Sequence, residues 1–269
     1  MEGVVAPLRL ELNTYPMVPV ERTLENVALN SQGATFLAFH EPHEMPLAIV
    51  GGGPSVKDHL DELRAWPGHI WGVNAACTWL AKQGIGSLFF SVDAAGQDIN
   101  PHFDYFLEHA QAALLSTSCD PEMFKRIPRV FTFHTHGPEE NGPYVTGGST
   151  SVGRAQILSV LLGFRNVSFF GCEGSWEFGT PSHTNKDEME DALIIRAGGQ
   201  DYVTNLQFML QCQELSAVIK GCPGIYHDCS NGLLGAMLEY PDTWSIVAFS
   251  EPLRDKLDPQ ATELYRKAA

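Results

Sequence analysis

Residues 47–56 read LAIVGGGPSV, an apolar strand that runs directly into three glycines and the start of a helix. Glycines at such a turn permit positive φ and leave no Cβ in the way of a close neighbour. The first N–H groups of the following helix favour an anion, and a proline and a serine suit its first turn. The stretch therefore predicts a nucleotide-binding turn made of Gly51, Gly52, Gly53, Pro54 and Ser55.

Two common phosphate-binding motifs are absent from this turn. Val56 stands where the third glycine of the dinucleotide fingerprint G-x-G-x-x-G would fall. The Gly-Lys-Ser/Thr ending of a P-loop does not follow the glycines either. The sequence therefore disfavours a dehydrogenase and a Walker-type ATPase.

The rest of the chain alternates apolar segments with amphipathic ones. Strands that are apolar throughout are typical of a parallel sheet covered on both faces. The predicted strands are Leu47–Val50, Ile70–Val73, Leu88–Val92, Ala112–Ser116, Val130–His134, Val167–Phe170 and Gly224–His227, and the predicted helices are Val56–Ala65, Thr150–Gly163 and Tyr202–Ile219. We therefore predict an α/β fold, Rossmann-like and doubly wound, with a mainly parallel sheet and helices on both faces.

Three regions are expected along the chain. Residues 1–45 are rich in proline and predict an N-terminal arm with one short helix near Glu21–Asn30. Residues 46–250 would form the Rossmann-like nucleotide-binding transferase domain. Residues 251–269 are charged and predict a C-terminal surface tail.

Composition restricts the partners and the compartment. The 269 residues include 17 basic and 32 acidic side chains, a formal net charge of −15, so a nucleic acid is not expected as a direct ligand. The N-terminus has no signal-peptide pattern, and apolar runs such as Ile157–Leu162 are too short to cross a bilayer. Six cysteines occur without a Cys-x-x-Cys pair. We expect a cytoplasmic protein with no membrane partner.

Several motifs resemble one protein family. The strand-GGGPS-helix unit is followed by WGVNAA at residues 71–76 and FFSVD at 89–93, and further similar blocks lie at 147–151, 170–173, 199–204 and 231–234. Together they resemble the MptE-like 6-hydroxymethylpterin diphosphokinase family, which is related in fold to the motility-associated flagellin glycosyltransferases and the family-42 sialyltransferases. Phage-encoded proteins are also similar, including over residues 25–32. The resemblance implies a nucleotide-dependent transferase, and relatives of this kind are often homo-oligomers.

The resemblance also implies roles for individual residues. Sialyltransferase relatives contact the donor nucleotide through an asparagine after the second strand, without metal, and a Thr-Ser pair lies beside it. This implies nucleotide binding by Asn74, Asp93, Gly148, Thr150 and Ser151. Diphosphokinase relatives use Mg²⁺ with ATP, which needs carboxylates at strand ends, and Asp93 is the candidate ligand here.

Three functions stay open at this point. Asn74 slightly favours glycosyl or related group transfer from a nucleotide or nucleotide-sugar donor to a small-molecule or glycan acceptor. The first alternative is a Mg-ATP-dependent diphosphokinase that acts on a pterin-like or other small hydroxyl compound. The second is a non-catalytic nucleotide-binding or assembly module. No cofactor is expected, except Mg²⁺ for the diphosphokinase.

This chain lacks the histidine that serves as the general base in the sialyltransferase relatives. The sialyltransferases place a histidine in the block where this chain has Gln200-Asp201-Tyr202. Transfer to a hydroxyl needs a base that works near neutral pH. The candidates are His136 after the fifth strand, Glu173 after the sixth, His183 in the following loop, and Asp201.

Overall fold

The computed structural model describes residues 18–95, 109–137, 142–146, 150–176, 192–241 and 243–249. The strands are β1 His43–Val50, β2 His69–Val73, β3 Leu88–Ser91, β4 Ala113–Ser116, β5 Val130–Phe133, β6 Phe164–Phe170, β7 Ala192–Ala197, β8 Gln200–Asn205, β9 Ile225–Asp228 and β10 Ser245–Phe249. The helices are α1 Val20–Asn30, α2 Leu60–Arg64, α3 Ala75–Lys82, α4 Pro121–Arg126, α5 Ser151–Leu161, α6 Leu206–Gly221 and α7 Leu233–Glu239. A 3₁₀ helix, Pro54–His59, precedes α2.

Seven strands form one parallel sheet in the order β5-β4-β3-β2-β1-β6-β9. This confirms the predicted Rossmann-like sheet and all seven predicted strands. The chain winds outward from β1 to β5 and then returns to β6, which pairs with the other side of β1. Such a reversal opens a crevice between the carboxyl ends of the two strands, where open α/β sheets bind ligands.

Helices cover both faces of this sheet, as predicted. Along β1, Leu47 and Ile49 pack with residues of α5, α6 and α7 on one face. Ala48 and Val50 pack with residues of α2 and α3 on the other. All four side chains are completely buried. Because both faces of β1 are enclosed, the strand needs no polar side, which explains its continuous apolar sequence.

The predicted α5 and its ends are confirmed. Thr150 caps the helix, since its Oγ1 accepts from the Gly153 N–H at 2.9 Å. Gly163 follows the helix with a φ of 85°, the left-handed conformation expected of a glycine there. None of the helices in the described part of the chain has the length and apolar composition needed to cross a bilayer.

A second, antiparallel sheet has the order β10-β7-β8, and the sequence did not predict it. The helix expected from Tyr202 is wrong over its first residues, because Gln200–Asn205 is strand β8. Gly198 and Gly199, with φ of 57° and 81°, form the two-residue turn between β7 and β8. Helix α6 then begins after Asn205, whose side chain accepts from the Phe208 N–H at 2.7 Å.

The helix predicted in the N-terminal arm is present as α1 and lies across the carboxyl ends of β3 and β4. Its buried Asn26 and Asn30 each donate two hydrogen bonds through the side-chain amide, between 2.7 and 3.3 Å long. The acceptors are the carbonyl oxygens of Ala94, Thr117, Ser118 and Cys119. This helix therefore covers the β3–β4 side of the sheet edge and leaves the β1–β6 side to the crevice.

Candidate functional site

The glycine turn after β1 is hydrogen-bonded to the end of β6 and to the segment that follows it. Three of its N–H groups donate there: Gly51 to the Phe170 carbonyl at 2.8 Å, Gly53 to the Gly171 carbonyl at 2.8 Å, and Ser55 to Oε1 of Glu173 at 2.7 Å. The N–H of Ser55 belongs to the first turn of the 3₁₀ helix, where a phosphate was expected. The carboxylate of Glu173 therefore occupies the predicted anion position.

Glu173 is held between two glycines. Its side chain is 3% exposed. A Cβ added to Gly53 would overlap the carboxylate of Glu173. A Cβ added to Gly232 would overlap the Cβ of Glu173. Gly53 thus makes room for a carboxylate of the same chain, and Gly232, before α7, makes room for the stem of that side chain.

The chemistry of Glu173 follows from this enclosure. Burial raises the pKa of its carboxyl group, and the charge of Asp228 raises it further, while the Ser55 N–H lowers it. Oε2 of Glu173 and Oγ of Ser55 are both buried, and the side chain of Ser55 also lowers the pKa of Glu173 through a hydrogen bond. A carboxyl group with a raised pKa exchanges a proton closer to neutral pH than an ordinary glutamate.

A cavity of about 110 Å³ adjoins Glu173. It lies between the segment after β6, the start of α5 and the side of α6, and its lining brings together three predicted site residues, Gly53, Thr150 and Glu173. The apolar part of the wall includes Val152, Phe208 and Leu215. Apolar walls with a few polar groups are typical of small-molecule sites.

Asn74 and Ser151 form a second hydrogen-bonded pair, in addition to Ser55 and Glu173. The Nδ2 of Asn74 donates to Oγ of Ser151 at 3.2 Å, which joins the end of β2 to the start of α5. Asn74 has φ 48° and ψ −122°, a conformation that glycine adopts readily and asparagine at a cost. Strained residues of this kind cluster at functional sites. The sequence therefore identified a pair that the fold brings together.

His136 and Arg154 lie near the carboxyl end of β5, the outermost strand on the β2 side of β1. Burial and the positive charge of Arg154 lower the pKa of His136, so its neutral form predominates at pH 7. Nδ1 of His136 lies 3.1 Å from Oγ1 of Thr135. The guanidinium of Arg154 donates to the Val145 carbonyl at 3.5 Å, and burial lowers its pKa. It still carries its charge at pH 7.

The remaining predicted residues lie elsewhere. Oδ1 of Asp93 accepts from the Ala95 N–H at 3.1 Å, so this carboxylate caps a local turn after β3. Asp201 is exposed on β8, and Arg196 pairs with both of its oxygens at 2.6 and 2.8 Å and lowers its pKa. His183 and Gly148 lie outside the described residues.

Sequence reasoning missed Asp228 at the end of β9. Its Oδ1 accepts from the hydroxyl of Ser230 at 2.5 Å, and burial raises its pKa. It contributes to the site through its charge, which acts on Glu173. A strand-end carboxylate directly after the predicted strand Gly224–His227 was the available signal.

The fold is a Rossmann-like α/β architecture with a crevice at its topological switch point. Among known proteins, no protein-family profile and no curated protein matches the chain. The solved structure of the MAf glycosyltransferase from Magnetospirillum magneticum AMB-1 is similar in fold, with a TM-score of 0.64 and 14% sequence identity. The similarity covers 92% of this chain and 42% of that protein, so the chain spans less than half of its length.

Proposed function

We propose that this protein transfers a glycosyl group from a nucleotide-activated donor to a hydroxyl acceptor. The observation that carries the proposal is the cavity at the β1–β6 crevice, where Gly53, Thr150 and Glu173 meet. The crevice lies where folds of this class bind ligands. The similarity in fold to a solved glycosyltransferase supports this choice of reaction.

The donor phosphates are best accommodated at the start of α5. The glycine turn is unfavourable for the donor phosphates, because the carboxylate of Glu173 already accepts a hydrogen bond from the Ser55 N–H and would repel a second anion. Helix α5 presents its positive N-terminal end nearby, and Ser151 and Arg154 lie on its first turn. Asn74, bonded to Ser151, completes the polar surface.

This arrangement suits the chemistry of glycosyl transfer. As the glycosidic bond to the donor breaks, negative charge accumulates on the leaving phosphate. A fixed guanidinium beside that phosphate stabilises the charge without reorganisation of solvent. Arg154 is half-buried, so its charge is less screened by water than that of a surface arginine.

The diphosphokinase alternative has less support from the residues present. Mg²⁺ with ATP requires several oxygen ligands at the strand ends. In the described segments, no group of three or more His, Cys, Asp or Glu side chains is placed to hold a metal ion. Asp93 already caps its own turn.

The test is a thermal-shift panel of CMP, CDP, UDP, GDP, ADP and ATP, each with and without Mg²⁺. A nucleotide at 100 times its Kd stabilises the folded protein by about 2.7 kcal/mol. We expect one nucleotide to stabilise the wild type without metal and Arg154→Gln to lose the effect. Arg196→Gln, which removes an exposed arginine of the small sheet, is the matched control and should retain it.

Three results would speak against the proposal. Stabilisation by ATP only in the presence of Mg²⁺ would favour the diphosphokinase. No shift with any nucleotide would refute the donor site itself. If a nucleotide stabilises the protein but a separate hydrolysis assay detects no release of that nucleotide from its sugar nucleotides, the protein is a binding module and not a transferase.

A further inference from the structure

A cluster of hydroxyl groups at the carboxyl ends of β4 and β5 holds the ring of His136. Nδ1 of His136 lies 3.1 Å from Oγ1 of Thr135. That oxygen lies 2.6 Å from Oγ of Ser116 and 3.0 Å from Oγ of Ser118, and the two serine oxygens are 2.8 Å apart. The three hydroxyl residues are buried, whereas His136 is exposed. Nδ1 is therefore bound to the protein, and Nε2 is the ring nitrogen that a ligand can reach.

A count of the protons in this cluster assigns the tautomer of the neutral imidazole. Each hydroxyl group has a single proton to donate. If Nδ1 accepts, the three hydroxyl groups make three hydrogen bonds in total, one of them to the ring. If Nδ1 carries the proton, it donates a fourth bond to Oγ1 of Thr135, and the hydroxyl protons bond within the cluster or to the Val92 carbonyl, 3.5 Å from Oγ of Ser118. Because buried polar groups are nearly always hydrogen-bonded, the larger number favours a protonated Nδ1 and a lone pair on Nε2.

His136 is close to the proposed position of the donor phosphates. The guanidinium of Arg154 donates to the Val145 carbonyl at 3.5 Å, and the Val145 N–H donates to the His134 carbonyl at 2.8 Å. Two hydrogen bonds thus connect Arg154 to the strand end that carries His136, and the charge of Arg154 acts on its ring. An acceptor at Nε2 would therefore lie beside a donor whose phosphate is bound at Arg154.

We propose that His136 is the general base of the transfer, that its Nε2 accepts the proton of the acceptor hydroxyl, and that Thr135 positions the imidazole. The proposal rests on the proposed function. The acceptor O–H bond breaks and its proton goes to Nε2, while the acceptor oxygen bonds to C1 of the donor sugar. The bond from C1 to the donor phosphate breaks, and its electron pair leaves with the nucleotide.

The charges around His136 suit a base that works beside a bound donor. Without a donor, burial and the charge of Arg154 lower the pKa of His136, so the ring is neutral and can accept a proton. Glu214 on α6 and Tyr144 are the acidic groups that act on Arg154. A donor phosphate at Arg154 would offset the guanidinium charge and raise the pKa of His136. The imidazolium formed by proton transfer is then stabilised by the phosphate that leaves.

The two other candidate bases in the described part of the chain are less suited to an acceptor. Oε2 of Glu173 is buried, and its Oε1 accepts from the Ser55 N–H. Asp201 is exposed, but both of its oxygens bind Arg196 on the small sheet. His136 combines an exposed ring with a nitrogen that carries a lone pair.

The first measurement needs no donor. Long-range ¹H–¹⁵N correlation spectra, recorded at a pH where the ring is neutral, distinguish a protonated ring nitrogen from an unprotonated one. His136→Gln identifies the signals of this residue. We expect a protonated Nδ1 and an unprotonated Nε2, and Thr135→Val should lose this preference. A neutral His136 that is protonated at Nε2 would refute its role as the base and leave the proposed function standing.

The second experiment compares His136→Gln with the wild type and with His69→Gln, a matched control at the exposed histidine that begins β2. UDP-glucose, GDP-mannose and CMP-N-acetylneuraminate are the probes, with water as the acceptor and nucleotide release as the signal. We expect kcat to fall by about 10²–10⁴-fold in His136→Gln, because glutamine cannot accept the proton. The acidic limb of its kcat–pH profile should disappear, and its donor-induced thermal shift should be unchanged. His69→Gln should match the wild type.

Thr135→Val tests the positioning of the ring. It should keep the acidic limb with a reduced kcat, and Thr135→Ser should restore most of the activity. If His136→Gln keeps the wild-type kcat and acidic limb, or loses the donor-induced thermal shift, the role of His136 as the base is refuted and the proposed function stands. If the wild type binds no nucleotide, or releases none from any probe, both are refuted.

Discussion

Replacing Gly53 by alanine tests whether this glycine exists to accommodate Glu173. Gly53 has φ −68° and ψ 154°, which alanine adopts without strain, so the effect of the new methyl group is purely steric. That methyl group would overlap the carboxylate of Glu173 and displace it from the Ser55 N–H. Loss of a hydrogen bond to a charged group costs about 1.5–3 kcal/mol, and we expect Gly53→Ala to lower the free energy of unfolding by this amount.

The same substitution should behave differently once Glu173 is shortened. In a Glu173→Ala background the methyl group of Gly53→Ala meets vacated space. A Gly→Ala change at a compatible conformation then stabilises by about 0.4–1 kcal/mol, through the unfolded chain. The two changes should therefore be coupled by about 2–4 kcal/mol, the difference between the two backgrounds.

The assay is urea unfolding of the wild type, both single variants and the double variant, followed by circular dichroism. Gly86→Ala is the matched control, because a Cβ there meets nothing within 4 Å, and it should leave stability unchanged or slightly raised. An equal cost of Gly53→Ala in both backgrounds would refute the reasoning. Gly53 would then serve something other than Glu173.

Three further outcomes are expected. Asn74→Gly should be more stable than Asn74→Ala by about 1–3 kcal/mol in urea unfolding, because only glycine relieves the strained φ of 48°, and equal stabilities would exclude strain. Asn30→Ala should cost about 1–3 kcal/mol, since it leaves two carbonyl oxygens without donors, whereas Gln32→Ala, with its exposed bond, should cost little. Because the pKa of Glu173 is higher in the folded protein than its ordinary value of 4.5, this group contributes stability below pH 4.5 that is lost as the pH rises through the folded-state pKa. Glu173→Gln should therefore flatten the fall of the unfolding midpoint above pH 4.5. An unchanged fall would contradict the raised pKa.

Much of the fold could be predicted because its strands are buried on both faces. Continuous apolar segments such as Ala113–Ser116 have few other interpretations once helical stretches separate them. The small sheet was missed altogether, although Gln200–Asn205 follows a Gly-Gly pair that is a hairpin signal between two extended segments. The pairing of β1 with β6 has no local signal, since it depends on contacts between distant residues.

The sequence identified individual residues of the candidate site but not the contacts between them. Gly53, Asn74, Ser151 and Glu173 were identified as residue types at strand and helix ends, and the fold places them at one edge. That N–H groups of the turn donate to the end of β6 and to the segment after it could not be predicted, because these contacts depend on which strand lies next to β1. The sequence of a glycine-rich turn does not indicate that strand.

The bond between Ser55 and Glu173 also has a consequence for how the chain folds. The two residues are 118 positions apart, so the crevice is formed by one of the most distant contacts of the sheet. During synthesis at 5–20 residues per second, about 6–24 s separate the appearance of the two. Throughout that interval β1 lacks its β6 neighbour, and its apolar edge is open to incorrect pairing. The central pairing of the sheet is therefore completed only after most of the strands have been synthesised.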